Sequence, residues 1–210
     1  MFFRKRLYAT LLLLCFVPAG CVSFGSQPDP SRFYALTSLP HASERQESAA
    51  GIPALALGIG PVKLPGYLDR PQVVTRISQN RFAVAENDRW AEPLEENFSR
   101  VLSQNLSILL RTDRIVTYPW ERSQRPAYQV QVEVLRFESN AEELVELWAR
   151  WTVSDNAKKI VTVRESHLSG RAKDRSTEAK VAALSEVAGD LSKEIAAALR
   201  ALISGQARQG

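Results

Sequence analysis

Apolar residues between positions 94 and 110 recur at helical spacing: Leu94, Phe98, Val101, Leu102, Leu106, Leu109 and Leu110, with Glu and Arg on the opposite face. Pro93 suits the first turn, where its missing N–H costs nothing, and Asp113 and Arg114 close the helix. A longer periodic run covers Thr177 to Ile203, where Val181, Leu184, Ala188, Leu191, Ile195, Ala198 and Leu202 alternate in steps of three and four. That is a heptad seam. Its two alanines make it narrow, a shape that suits packing on a sheet as well as a coiled coil.

The other patterned segments have the period of strands. Arg32 to Leu36 and the unbroken apolar run Ala54 to Val62 predict two, the second buried on both faces. Pro61, Pro65 and Gly66 then predict a loop ending near Pro71. Gln72–Ser78 and Arg81–Ala85 flank a Gln79-Asn80 turn, and Ile115–Tyr118 follows the first helix. Tyr128, Val130, Val132 and Val134 alternate with polar residues until Leu135 and Phe137 shift the phase, which predicts a bulge. Glu142–Val153 and Lys159–Leu168 complete an antiparallel meander around the Ser154-Asp155-Asn156 turn. The order β-β-β-β-α-β-β-β-β-α predicts an α/β or α+β fold, a mixed sheet flanked by two main helices with the meander in its second half.

The N-terminus has a different character. Arg4-Lys5-Arg6, an apolar stretch from Leu7 to Val17, and the small pair Ala19-Gly20 before Cys21 have the layout of a secretory signal. The stretch is far short of the roughly 20 residues of a spanning helix. Small-small-Cys at this place resembles the bacterial lipobox, although Pro18 stands where that pattern usually has leucine. Cleavage between Gly20 and Cys21, with acylation of Cys21, divides the chain into signal peptide 1–20, lipidated tether 21–31, a single periplasmic domain 32–204 and a tail 205–210. Val22 follows the anchor where inner-membrane lipoproteins commonly carry aspartate, so the pattern resembles that of outer-membrane sorting. A tether of this size spans roughly 15–20 Å.

This division changes the meaning of the charge. The 210-residue chain carries a formal +4 and a pI near 9.2, but without residues 1–20 it has 24 basic residues against 23 acidic ones. A near-neutral domain has no electrostatic footprint for nucleic acid. With Cys15 removed and Cys21 acylated, no disulfide or Cys-ligated metal site can form.

Motifs of chemistry are sparse. His167 stands beside Ser166 and Ser169, with no third orienting group or oxyanion site nearby in sequence. Glu142, Glu143 and Glu146 could be paired acids, but a charge run at a hairpin entry is ordinarily a solvated face. Gly58-x-Gly60 follows an apolar strand yet runs into Pro61, where a phosphate-binding turn needs a helix N-terminus. The sequence therefore predicts no catalytic residue, no cofactor and no metal site.

The stretch Gly60 to Arg76, containing Leu64-Pro65-Gly66-Tyr67-Leu68-Asp69-Arg70-Pro71, and the run Arg89-Trp90-Ala91-Glu92-Pro93-Leu94 resemble the ABC-type transport auxiliary lipoprotein family. The resemblance continues through Tyr118-Pro119-Trp120, Arg136-Phe137-Glu138 and Leu147-Trp148-Ala149-Arg150-Trp151, from Phe33 to Leu202 in all. It implies an outer-membrane lipoprotein on the periplasmic face, partnered by an MCE-domain protein and an inner-membrane permease or ABC transporter, that supports phospholipid movement between membranes. It also implies a ring-like homo-oligomer, and it carries over no catalytic residue. Alternative readings are an envelope scaffold that never touches lipid and a periplasmic hydrolase. Tyr67, Asp69 and Arg70, on a loop stiffened by prolines, and Trp90 ahead of the helix are the candidate partner-binding residues. Each also has a purely structural role available: an ion pair for Arg70, a hydrophobic staple for Trp90.

Overall fold

The computed structural model describes residues 29–40, 56–121 and 123–206. The chain divides into two compact units, Met1–Pro30 and Ser31–Gly210. Gly20 and Cys21, and with them the cleavage and lipidation sites, lie outside the described residues.

The second unit contains β1 (Arg32–Tyr34), β2 (Leu57–Lys63), β3 (Gln72–Ser78), β4 (Arg81–Trp90), α1 (Leu94–Leu110), β5 (Ile115–Thr117), β6 (Tyr128–Asn140), β7 (Leu144–Asp155), β8 (Ile160–Arg171) and α2 (Thr177–Gln206). This is the element order expected from the sequence. Most boundaries differ by one to three residues, and three differences bear on the site. β2 runs through Pro61 to Lys63, taking the proline at a register shift between Ile59 and Val62, where the missing ladder N–H does least harm. β4 extends beyond Ala85 to Trp90, and β7 begins at Leu144 rather than Glu142.

The eight strands form one mixed sheet centred on β6. β7 pairs antiparallel with one edge of β6, and β8 pairs antiparallel with β7. The other edge of β6 is shared. β2 runs parallel to its first half, ending in the pair Lys63↔Glu133, and β3 runs parallel to its end, at Thr75↔Ser139. The thirteen residues from Lys63 to Thr75 therefore lie opposite only seven on β6, Glu133 to Ser139. The excess leaves the sheet as a loop with a 3₁₀ turn at Gly66–Leu68. The expected bulge is present, with the register of β6 slipping between Val134 and Arg136. It transfers the inward face from Val130, Val132 and Val134 to Phe137 and Ser139.

Both helices cover the same face of the sheet, α1 over β2 and β5, α2 over β6, β7 and β8, and they pack against each other. Every residue of the expected α2 stripe is buried except the half-buried Leu202. Ala183, Val187, Ala196 and Leu199 widen that stripe, so α2 meets both a sheet and a helix rather than a coiled-coil partner. Ser176 starts α2 by accepting a 3.1 Å hydrogen bond from the Ala179 N–H.

Between β1 and the helices runs a strap, residues 35–39. Asn97 of α1 accepts from the Leu36 N–H at 2.7 Å, and Ser185 of α2 from the Thr37 N–H at 3.1 Å. Asn105 of α1 accepts from the Leu39 N–H at 2.7 Å and donates to Ser192 of α2 at 3.1 Å. Buried polar side chains thus replace the strand partners this backbone lacks.

Candidate partner-binding site

The loop where β2 and β3 part is held from beneath. Past the β6 bulge, Arg136 and Glu138 point to the helix-free face, and Glu138 is only 2% exposed. Its carboxylate accepts a hydrogen bond from the Tyr67 hydroxyl in the loop and another from Arg76 Nε of β3 at 2.6 Å, with Arg136 Nε 3.5 Å away. The Tyr67 ring stacks on Phe82 of β4 at 4.7 Å between centroids, and the Arg76 guanidinium lies 4.3 Å over the same Phe82 ring. Burial, and then the bond to the Glu138 carboxylate, pushes the Tyr67 hydroxyl pKa well above that of a free tyrosine. Tyr67 therefore remains a neutral donor and a fixed strut. Arg136 extends the array by bonding Glu146 at 2.9 Å and lying 4.1 Å over Trp148.

The strut decides what the loop displays. Leu68 is buried beneath it, while Asp69 and Arg70 are exposed. The Arg70 N–H donates to the Leu68 carbonyl at 2.8 Å and the Trp90 N–H to the Pro71 carbonyl at 2.7 Å, closing the turn at both ends. Trp90 is 6% exposed and belongs to the core as the last residue of β4, paired with Tyr34 of β1. Of the four candidate residues, Asp69 and Arg70 form the display, Tyr67 supports it, and Trp90 lies away from any surface.

Beside the loop, the Leu64 N–H approaches Glu95 of α1 at 3.4 Å, and from there a groove of about 380 Å³ opens between β2 and α1. Pro61, Val62 and Tyr118 supply its apolar wall, Tyr118 being 53% exposed. Glu95, Glu96 and Arg100 line the α1 side, where Arg100 is held by Glu92 at 2.5 Å.

The remaining chemical candidates separate in space. Ser166 is buried, accepts from Trp151 Nε1 at 2.9 Å and donates to Glu194. His167, its neighbour on the strand, is exposed on the opposite face, stacked on Trp148 and 3.2 Å from Glu165. No Ser–His pair forms. Glu143 binds Arg175 at 2.9 Å and Arg171 at 3.8 Å, and Glu146 binds Arg136, so these acids are consumed by ion pairs. Gly58 and Gly60 are packing positions rather than a phosphate turn. A Cβ at Gly58 would meet Trp120 and Pro126 at 2.9 Å. At Gly60, φ is +109° and a Cβ would stand 2.8 Å from that of Tyr118. Among the described residues no cluster of His, Cys, Asp and Glu could hold a metal, and no helix is long and apolar enough to cross a membrane.

A family model described as the ABC-type transport auxiliary lipoprotein component matches residues 34–196. The chain belongs to that family. Its members are lipoproteins that serve as auxiliary transport components, and the family is not one of enzymes. No curated protein matches this family member significantly. Among solved structures, one uncharacterized protein is similar at 21% identity with a TM-score of 0.66, the match covering 80% of this chain and 98% of that one. A Xanthomonas campestris protein is similar at 16% identity with a TM-score of 0.68, covering 86% of this chain and all of that one. At such identities these two likenesses establish the fold alone.

Sequence reasoning missed Glu138, Arg76, Arg136 and Phe82 as the base of the loop. One signal was present. The phase shift at Leu135 moves Arg136 and Glu138 onto the open face, and a carboxylate flanked by Phe137 and Ser139, both buried, needs a partner from elsewhere.

Proposed function

We propose that this protein is the lipid-anchored auxiliary component of a transport system that moves phospholipid between the two membranes of the envelope, docking an MCE-domain partner through the loop of residues 65–71. Cys21 carries the lipid, and the periplasmic face of the outer membrane is the site of anchorage. The domain acts by binding rather than by catalysis. Family membership supports the transport role. The observation that carries the docking role is the Asp69–Arg70 pair, exposed at the tip of a loop whose underside is tied to buried Glu138 through Tyr67. A surface held this way loses little conformational entropy on binding.

Arginine is a favoured interface anchor, and removing one commonly costs about 2 kcal/mol or more. Arg70→Glu is therefore expected to weaken association with the MCE-domain component at least tenfold by titration, with an unchanged melting curve. Unchanged binding with an unchanged melt would remove the loop from the interface. Mass spectrometry of the membrane fraction is expected to find the chain beginning at an acylated Cys21. A mature chain that retains Leu11 to Val17 would overturn the anchor.

A further inference from the structure

A second site lies on the helix-free face, at the end of the sheet where β6 begins. Trp120 and Pro126 fold over Gly58 and form one wall, and the β7–β8 turn forms the other. Between them is a pocket of about 320 Å³, floored by Gln129 of β6. This is at the lower end of the roughly 300–1,000 Å³ typical of small-molecule sites. Gln129 is held in place because its side-chain NH₂ donates to the Gly60 carbonyl at 2.8 Å.

The charge at this pocket is unbalanced. Arg125 and Lys158 line opposite walls, and among the described residues neither side chain has a carboxylate partner or any other hydrogen-bonding contact. Elsewhere the sheet's exposed arginines are largely committed, as Arg150 is between Glu133 and Glu165 at 3.7 and 3.6 Å. The single acid in the pocket wall, Asp155, is occupied by its own turn, accepting from the Ala157 and Lys159 N–H groups at 2.9 Å each. Asn156 adds an amide with no partner among the described residues. An unpaired guanidinium, an unpaired ammonium and a free amide converge on one concave space beside an indole face.

We infer that this pocket, between Trp120–Pro126 and the Asp155–Lys158 turn, binds an anionic phosphate ester, with Arg125 and Lys158 taking the phosphate oxygens. Arginine matches phosphate geometry bidentately and lysine supplies a compact second charge. The apolar faces of Trp120 and Pro126 accept whatever apolar group the phosphate carries, as tryptophan does at membrane–water boundaries. The shared chemistry admits two sources, a lipid headgroup or a free phosphate. The site is remote in sequence from the 65–71 loop and does not depend on it.

The test is calorimetric titration of the full-length protein in a nonionic detergent with two probes, inorganic phosphate and dihexanoyl phosphatidylglycerol. Saturable binding is expected, weakened roughly tenfold or more in the double variant Arg125→Gln/Lys158→Gln, since two charge-assisted contacts are lost. It should be unaltered in Lys173→Gln, which removes an exposed cation far along the chain. Both double-variant side chains are exposed, so the melting curve should not move. Tighter binding of the lipid identifies the source as a headgroup, and equal binding identifies a free phosphate. No binding of either probe at millimolar concentration, or binding undiminished in the double variant, would overturn the site. Loss of partner binding in Arg70→Glu with this titration intact, or the reverse, separates the two proposals.

Discussion

Gly189 of α2 and Leu39 of the strap are packed so closely that a Cβ on residue 189 would stand 2.9 Å from Leu39 Cδ2. Glycine in mid-helix ordinarily costs about 1 kcal/mol relative to alanine. Here its missing side chain lets the strap lie in the seam between α1 and α2, where Asn97, Asn105 and Ser185 hold its backbone. The strap leads from β1, the first strand of the sheet, into the helix layer.

Removing one of those polar holds should be expensive. Asn105 is fully buried, and Asn105→Ala leaves the Leu39 N–H without its acceptor and removes the donor to Ser192 Oγ, which keeps only its own bond to the Ala188 carbonyl. The expected loss is about 2–3 kcal/mol of unfolding free energy. Gln104→Ala, on the exposed side of the same turn, should stay within about 0.5 kcal/mol. Hydrogen exchange at the Leu39 amide should accelerate in the first variant and not in the second.

The α2 stripe gives a second contrast. Leu191 is 0% exposed, whereas Lys193 is exposed with its ammonium 2.8 Å from Asp190. Leu191→Asp buries a carboxylate with no partner, a cost of several kcal/mol against a typical domain margin of about 5–15. Lys193→Asp loses one surface pair, worth at most about 1 kcal/mol. Denaturant melts should place the first variant near unfolding and the second close to the native protein.

The Glu138 array should respond unevenly. Tyr67→Phe removes one donor but leaves Glu138 its arginines, with an expected cost of about 1–2 kcal/mol. Glu138→Ala leaves Arg76 without its buried counter-ion, and about 3–5 kcal/mol is expected. If the array supports the docking loop, Tyr67→Phe should also lower partner affinity while the melt shifts only slightly. Chemical denaturation paired with the Arg70 binding titration measures both.

Asp88 carries a pH signature. Burial works against its carboxylate, but hydrogen bonds from Thr177 and Arg32, with the Arg32 charge, outweigh burial and hold its pKa below the ordinary carboxylate value. A depressed pKa stabilises the fold above the unfolded value, near pH 4, and that contribution is lost as pH falls through the folded value. Asp88→Asn should therefore cost about 1–3 kcal/mol at neutral pH. The gap to the native protein should narrow below about pH 4, read from melts across pH 2.5–7.

Element order and type were legible in the chain because each rests on a local period. The 3.6-residue repeat of Leu94 to Leu110 and the alternation Tyr128-Val130-Val132-Val134 require nothing distant. Even the bulge near Leu135 showed as a slip of phase. The exposure of Asp69 and Arg70 likewise followed from a proline-bounded loop with no apolar period. Trp90 was misplaced because β4 continues five residues past Ala85, through the polar run Glu86 to Arg89. Such a run conceals a strand whose Asp88 finds its partners in Arg32 and Thr177.

The sequence by itself determined which segments are helices and strands, which faces they bury, and the membership that one family model recognises over residues 34–196. The tertiary structure alone decided that β2 and β3 share one edge of β6 and extrude the docking loop between them. It alone brought Tyr67 to Glu138, Asn105 to Leu39, and Arg125 and Lys158 to opposite walls of one pocket. The physical reason is range. Hydrophobic periodicity is set by neighbours one to four residues away, whereas a buried polar group is satisfied by whatever the topology places within about 3 Å, at any separation along the chain.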